Sequence, residues 1–323
     1  MVKIQVLIFL FVMIVANHAS ADWFKKAKPL MGTSVMVELW HMDSESSETI
    51  ADEVFREISR IENLMSPYLP DSGLSRINQN AYSLSVKPDV ELFGIIEQAL
   101  FFSVKTQGAF DISFASVGHR FNYREGKKPS AMEIEKLSAL IDYRLIKLDR
   151  RNKTIRFRRS GVKLDLGGIA KGYAVDKAIE LLRQWGIQYA IVTAGGDSRI
   201  LGDRKGRPWM VGIKNPRADN VLISLPLENA AVSTSGDYER FFEKDGVRYH
   251  HIINPKTGHS ADSLRSVTII GDDAMTTDAL STSVFVMGIH DGLALLESIE
   301  GISGVLIDQA NKVHYTSDLI GLK

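Results

Sequence analysis

Leu145-Ile146-Lys147-Leu148 and Thr154-Ile155-Arg156-Phe157 flank a polar stretch, Asp149-Arg150-Arg151-Asn152-Lys153, and this pattern decides the fold class. Two short apolar runs joined by turn-forming residues read as a β-hairpin. A hairpin joins antiparallel strands, whereas parallel strands need a helical crossover. The expected class is therefore α+β, mixed helices with largely antiparallel sheet. Arg156-Phe157-Arg158-Arg159 then reads as the solvated side of a strand and not as a nucleic-acid patch.

Working outward, Val162–Leu166 reads as a buried strand, and Ala174, Ala178 and Leu182 place a helix up to Gly186. Tyr189–Thr193 is a β-branched run ahead of Gly195-Gly196. Towards the N-terminus, Val35, Val37 and Leu39 alternate as in a strand. Ile50, Val54, Ile58, Ile61 and Met65 mark a helix ending near Ser66-Pro67. Leu92, Ile96, Leu100 and Val104 mark another, and Ser130 with Glu133 fits a capping box for a short third. Two further helices are predicted near Ala274–Met287 and Asp291–Ile299. No repeat or low-complexity linker interrupts residues 30–323, so residues 22–323 read as one domain or two intimately joined halves.

Lys3, an apolar stretch from Ile4 to Val15 containing Gln5, and Ala19-Ser20-Ala21 have the order of a secretory signal. The stretch is shorter than the about 20 residues needed to span a bilayer. Cleavage after Ala21 would leave an exported, periplasmic chain starting at Asp22, with no membrane span. Without Lys3, 38 of the 39 basic side chains face 39 acidic ones, a formal charge of −1, so no overall field favours nucleic acid. There are no cysteines, which excludes disulfides, thiol catalysis, Cys-ligated metal and a lipid-attachment cysteine.

Leu164-Asp165-Leu166-Gly167-Gly168-Ile169-Ala170-Lys171-Gly172-Tyr173 runs through paired glycines into a helix. Such a turn brings backbone N–H groups and a helix N-terminus to an anion, with Lys171 one turn in. Asp165 would bind a hydroxyl or orient a base. By itself, such a turn more often serves tight packing than a ligand. In Thr276-Thr277-Asp278-Ala279-Leu280-Ser281-Thr282, three oxygen-bearing side chains, Asp278, Ser281 and Thr282, share a helix face. Hard oxygens with one carboxylate suit Mg²⁺; from spacing alone, helix capping is the simpler reading. In Tyr249-His250-His251-Ile252-Ile253-Asn254-Pro255-Lys256-Thr257-Gly258, strand alternation sends the histidines to opposite faces. A neutral catalytic histidine fits better than a zinc site, and His250 stands open as a surface residue without consequence.

Together and in order, these segments resemble the ApbE family of FAD:protein FMN transferases. Met31-Gly32-Thr33, Ser66-Pro67-Tyr68, Asp71–Asn78, Gly108–Asp111, Gly195-Gly196-Asp197 and Ser233-Thr234-Ser235-Gly236-Asp237 complete the match. The resemblance implies a single catalytic domain, FAD as substrate, Mg²⁺ as cofactor, and a threonine or serine on a flavin-accepting redox subunit as acceptor. It assigns FAD contacts to Met31, Tyr68, Ala109, Phe110, Asp111, Asp165, Lys171 and Ile252. Metal ligation falls to Gly168 through its carbonyl, Asp278, Ser281 and Thr282. His251 matches the motif histidine and is the candidate base, since an ordinary histidine titrates near neutral pH. Asn254, where the family often has aspartate, reads as a turn former. The rival readings are a hydrolase splitting FAD into FMN and AMP, a non-enzymatic flavin binder, and a purely structural exported domain.

Overall fold

The computed structural model describes residues 22–320; the apolar stretch and Ala19-Ser20-Ala21 lie outside them. β1 (Asp22–Leu30) and β2 (Thr33–His41) form a hairpin with Val35, Val37 and Leu39 turned into the core, as their alternation predicts. α1 (Ser44–Met65) is capped by Asp43 and ends at Ser66, where Pro67 disfavours a further helical turn. A helix the periodicity did not reveal, α2 (Gly73–Asn80), follows under a Ser72 cap. α3 (Val90–Lys105) buries Leu92 and Ile96 but leaves Val104 exposed. The single turn α4 (Ala115–Gly118) precedes α5 (Ala131–Ser138), which opens with the expected Ser130–Glu133 capping box. β3 (Ile146–Asp149) and β4 (Thr154–Phe157) are the predicted hairpin.

Val162–Leu166 is not a strand, which corrects the sequence reading. Val162, Leu164 and Leu166 are buried as expected, but their backbone finds partners outside any ladder. Asn78 accepts from Leu164 N at 2.7 Å and donates to Leu164 O at 2.9 Å. Lys163 N donates to Ser116 Oγ and Asp165 N to Ile112 O, each at 3.0 Å. One asparagine side chain thus replaces a neighbouring strand, and the segment enters the diglycine turn extended.

α6 (Ala170–Gln184) leads into β5 (Ala190–Ala194) and β6 (Asp197–Leu201), paired around Gly195-Gly196. Then come the ribbon β7 (Trp209–Lys214) and β8 (Val221–Leu227), β9 (Ala231–Gly236), and the hairpin β10 (Phe241–Lys244) and β11 (Val247–His250). β12 (Leu264–Gly271), α7 (Ala274–Met287), α8 (Ile289–Glu297), β13 (Ser303–Asp308) and β14 (Val313–Tyr315) complete the described chain.

Among the described residues, eight strands make one antiparallel sheet in the order β1-β2-β5-β6-β9-β12-β13-β14. Its inner face lies against α1, α6 and α7, and Val37, Val192, Val267 and Leu306 join the main core. Strand alternation sends Val232, Ile270, Val305 and Ile307 to the outer face, where Ile213 and Leu225 of the β7–β8 ribbon cover them. No helix of the described residues is long and apolar enough to cross a membrane. The class expected from the hairpins, helices with antiparallel sheet, is the class observed.

Candidate active site

The site is built where α6 meets α7. Asp273, and not Thr276, Thr277 or Asp278, caps α7, accepting from Thr276 N at 2.8 Å. The N-cap alternative therefore falls away, although the Thr277 and Ser281 hydroxyls do bond back to Ala274 O and Asp278 O, and Asp278 sits inside the helix, 2% exposed. Its Oδ2 accepts from Gly172 N of α6 at 3.0 Å; Oδ1 accepts no hydrogen bond among the described residues. A β-carbon on Gly172 would overlap the carbonyl oxygen of Ala274 and sit 2.8 Å from Asp278 Cβ. Glycine is what lets the two helices approach this closely.

Lys171 lies between two buried carboxylates. Its Nζ is 2.8 Å from Asp197 Oδ2 and 3.5 Å from Asp278 Oδ2, and donates to Gly167 O at 2.9 Å. Burial disfavours the ammonium, but the two carboxylates outweigh it and hold Lys171 above the ordinary lysine value. Asp278 is pushed up by burial and by Asp197, with Lys171 and the Gly172 N–H opposing. Asp197 reaches this point because Gly195, at φ +63°, and Gly196 fold β5 tightly into β6; a β-carbon on Gly196 would stand 2.5 Å from Thr234 O.

The candidate metal donors converge here. Thr282 Oγ1 lies 3.0 Å from where a β-carbon of Gly168 would be, so helix α7 and the diglycine turn touch. Ser281 Oγ donates to Asp278 O at 2.9 Å and lies 2.8 Å from Ser235 Oγ, which is 3.3 Å from Thr282 Oγ1. Among the described residues no three His, Cys, Asp or Glu side chains cluster as a metal site. One carboxylate with an open oxygen, hydroxyls and a backbone carbonyl are instead the donors of a hard cation that keeps water or substrate oxygens. The residues present fit Mg²⁺.

The two histidines meet different surroundings, and the surface reading left open for His250 does not hold. β11 ends at His250, which is buried and not a surface residue. Its Nε2 donates to Ala261 O at 2.6 Å, its Nδ1 accepts from Ile252 N at 3.4 Å, and its ring meets Phe285 edge-on. His251 has its Nδ1 buried and without a hydrogen-bond partner among the described residues. Burial first, then the charge of Arg240, push its pKa down to about 3. An ordinary titration near neutral pH is therefore not a property of this histidine.

The remaining assigned residues surround this centre unequally. Met31 and Gly32, at φ +52° and +68°, form the two-residue turn between β1 and β2. Tyr68 is 76% exposed, and the charge of Asp165 raises its phenol. Asp165 accepts from Gly167 N at 2.6 Å and is itself raised by burial. Ala109 and Phe110 are buried, the Phe110 ring 3.2 Å from the β-carbon position of Gly168. Asp111 accepts from Ser113 N, Ser113 Oγ and Tyr143 N at 2.6–2.8 Å, so its carboxylate holds its own loop. Ile252 is buried between the histidine pair and the Asn254 turn. Asn254 forms that turn as read, accepting from Lys256 N at 3.0 Å.

The model of the ApbE family matches residues 31–306. The chain belongs to the ApbE family. Among proteins it resembles, an FAD:protein FMN transferase of Klebsiella pneumoniae is 32% identical over 293 residues, 89% of this chain and 90% of that protein. Another of that name from Treponema pallidum is 31% identical over 94% of this chain and 90% of its own. The crystal structure of the ApbE protein of Thermotoga maritima superposes with a TM-score of 0.85 at 35% identity, covering 93% of this chain and 98% of that one. The flavin transferase ApbE of Vibrio cholerae gives 0.84 at 28% identity, covering 93% and 99%.

Within this ApbE chain the geometry adds three residues that the sequence left unassigned. Asp197 was visible only as the end of a diglycine motif, and nothing local announces its ion pair from β6 to Lys171 of α6. Ser235 links the Ser281 and Thr282 hydroxyls from β9. Arg240 stands over the turn at Gly32, donating to Gly32 O at 3.3 Å. Its only signal was its place just past Ser233–Asp237.

Proposed function

We propose that this chain transfers the FMN moiety of FAD to a threonine or serine hydroxyl of a target flavoprotein, with Mg²⁺ and release of AMP. The observation that carries the reading is the meeting of Gly168, Lys171, Asp278 and Thr282 at one point, in a member of a family whose relatives bear that transferase name. Gly168 through its carbonyl, Asp278, Ser281 and Thr282 would hold the ion. When bound, Mg²⁺ supplies neutralisation of charge on the diphosphate oxygens.

The chain's own residues do the rest. Met31, Tyr68, Ala109, Phe110, Asp111, Asp165, Lys171 and Ile252 would hold FAD. The acceptor oxygen bonds to the FMN phosphorus, and the bond from that phosphorus to the AMP phosphate oxygen breaks with its electron pair. His251, neutral with Nδ1 open, takes the acceptor's proton and passes it to solvent. Such a weakly basic ring suffices because a loose phosphoryl transition state asks little of the nucleophile.

Residues 22–323 act as one catalytic domain after export to the periplasm, a reading supported by the eight-stranded sheet that takes strands from β1 through β14 and by the charge, apolar stretch and small residues of the N-terminus. The test is chromatography of FAD incubated with the pure chain, acceptor and Mg²⁺. AMP should appear in step with flavin bound to protein. Free FMN with AMP and no flavin on protein would make the chain a hydrolase.

A further inference from the structure

The loop from β9 to β10 carries one arginine that its surroundings do not use. Asp237 is buried and takes both of its arginine neighbours: Arg217 in a two-pronged pair, with Nη1 at 2.7 Å, and Arg248 at 3.5 Å. Arg248 is also 2.8 Å from Glu243. Arg240, in the same loop, is exposed and has no acidic partner among the described residues. Its one side-chain bond is the long one to Gly32 O. Its own carbonyl accepts from His251 N at 3.1 Å, which ties its backbone to the candidate catalytic histidine.

The guanidinium nevertheless acts on the centre of the site. Its charge disfavours protonation of His251 and opposes that of Lys171, and it favours the ionised forms of Asp165 and Tyr68. Lys171 is not a spare cation, because Asp197 and Asp278 already neutralise it. Arg240 brings a positive charge without an acidic partner among the described residues to the Gly32 turn, where it also favours the ionised form of Asp165. A planar fork of N–H donors suits phosphate oxygens better than any other anion but a carboxylate. A cleft of about 520 Å³, bounded by Pro29, Gly32, Thr33 and Arg124, opens beside the Gly32 turn that Arg240 bonds and leaves room for a ligand.

We infer that Arg240 is a phosphate-binding residue that grips the diphosphate of the dinucleotide. The inference rests on the reading of FAD as substrate and adds to it a ligand contact outside the assigned positions. The test measures ADP and riboflavin binding to the full chain and to Arg240→Ala and Arg240→Lys, each first shown to melt like wild type. ADP carries the diphosphate and riboflavin carries no phosphate. Arg240→Ala should weaken ADP about tenfold to a hundredfold, the span for losing a charged hydrogen-bonding pair, and leave riboflavin unchanged. Arg240→Lys should recover part of the loss, keeping charge without the fork. Unchanged ADP affinity in Arg240→Ala, or an equal loss for riboflavin, overturns the inference. ADP binding that depends on Arg240 in a chain that transfers no FMN would leave it standing and remove the proposed function instead.

Discussion

Gly172 donates its backbone N–H to Asp278 at 3.0 Å, and that bond joins the two helices from which the site is made. Gly172→Ala places a methyl group into the Ala274 carbonyl and forces α6 from α7. Overpacking of this kind costs about 1–3 kcal/mol, or more where backbone is the obstacle. Urea unfolding should show the loss, and flavin transfer should fall with it even at temperatures where the variant stays folded. A variant with wild-type stability and rate would mean the helices tolerate separation.

Asp278→Ala removes the one carboxylate of the candidate metal set but leaves Lys171 paired with Asp197 at 2.8 Å. The fold should survive, since no buried cation loses its last partner. Transfer should drop by several kcal/mol in barrier, about what a bound metal supplies. Rates measured against Mg²⁺ concentration decide it; wild-type turnover in limiting Mg²⁺ would remove Asp278 from the site.

His251 sets a pH dependence of definite sign. The unfolded ring takes up a proton near pH 6.5, while the folded one refuses it until about pH 3. The stability it contributes is present above pH 6.5 and is lost as pH falls through that window, by up to about 1.4 kcal/mol per unit. His251→Asn should flatten the acid side of the stability curve and slow transfer by about 10²-fold, the low end for a positioned base, because its pKa lies far below the working pH. The wild-type rate profile should show no limb near 6.5 owed to this ring. A limb there that vanishes in His251→Asn would restore an ordinary histidine base.

His250→Asn is expected to act on the fold and not on the chemistry. It removes the bond from Nε2 to Ala261 O and the ring packed on Phe285, at about 1–3 kcal/mol for a buried polar group left unpaired. Chemical denaturation of the variant measures this; a neutral result would place His250 back among the inconsequential.

What could be read in the chain was whatever rests on neighbours in sequence. Asp278, Ser281 and Thr282 share a helix face because of helical period, and the Leu145–Phe157 hairpin announces itself through its turn residues. Val162–Leu166 misled because burial and alternation are the marks of a strand, while the partner that makes one is distant; here Asn78 took that place. Asp197 and Arg240 were illegible for the same reason, since their meaning lies in Lys171 and Gly32, brought to them by β5–β6 and by the loop after β9. His251 was found by motif, but its depressed pKa comes from burial and from Arg240, which no local pattern reports.

If flavin leaves FAD and stays on protein, the acceptor gains mass, and intact-mass spectrometry reads that gain. The pure chain, FAD and Mg²⁺ are incubated with a flavin-accepting domain carrying its threonine, and with the same domain bearing valine there. The threonine domain alone should gain the mass of one FMN moiety, matched by AMP and absent with Asp278→Ala. An acceptor of unchanged mass beside free FMN and AMP, or FAD recovered intact, would contradict it.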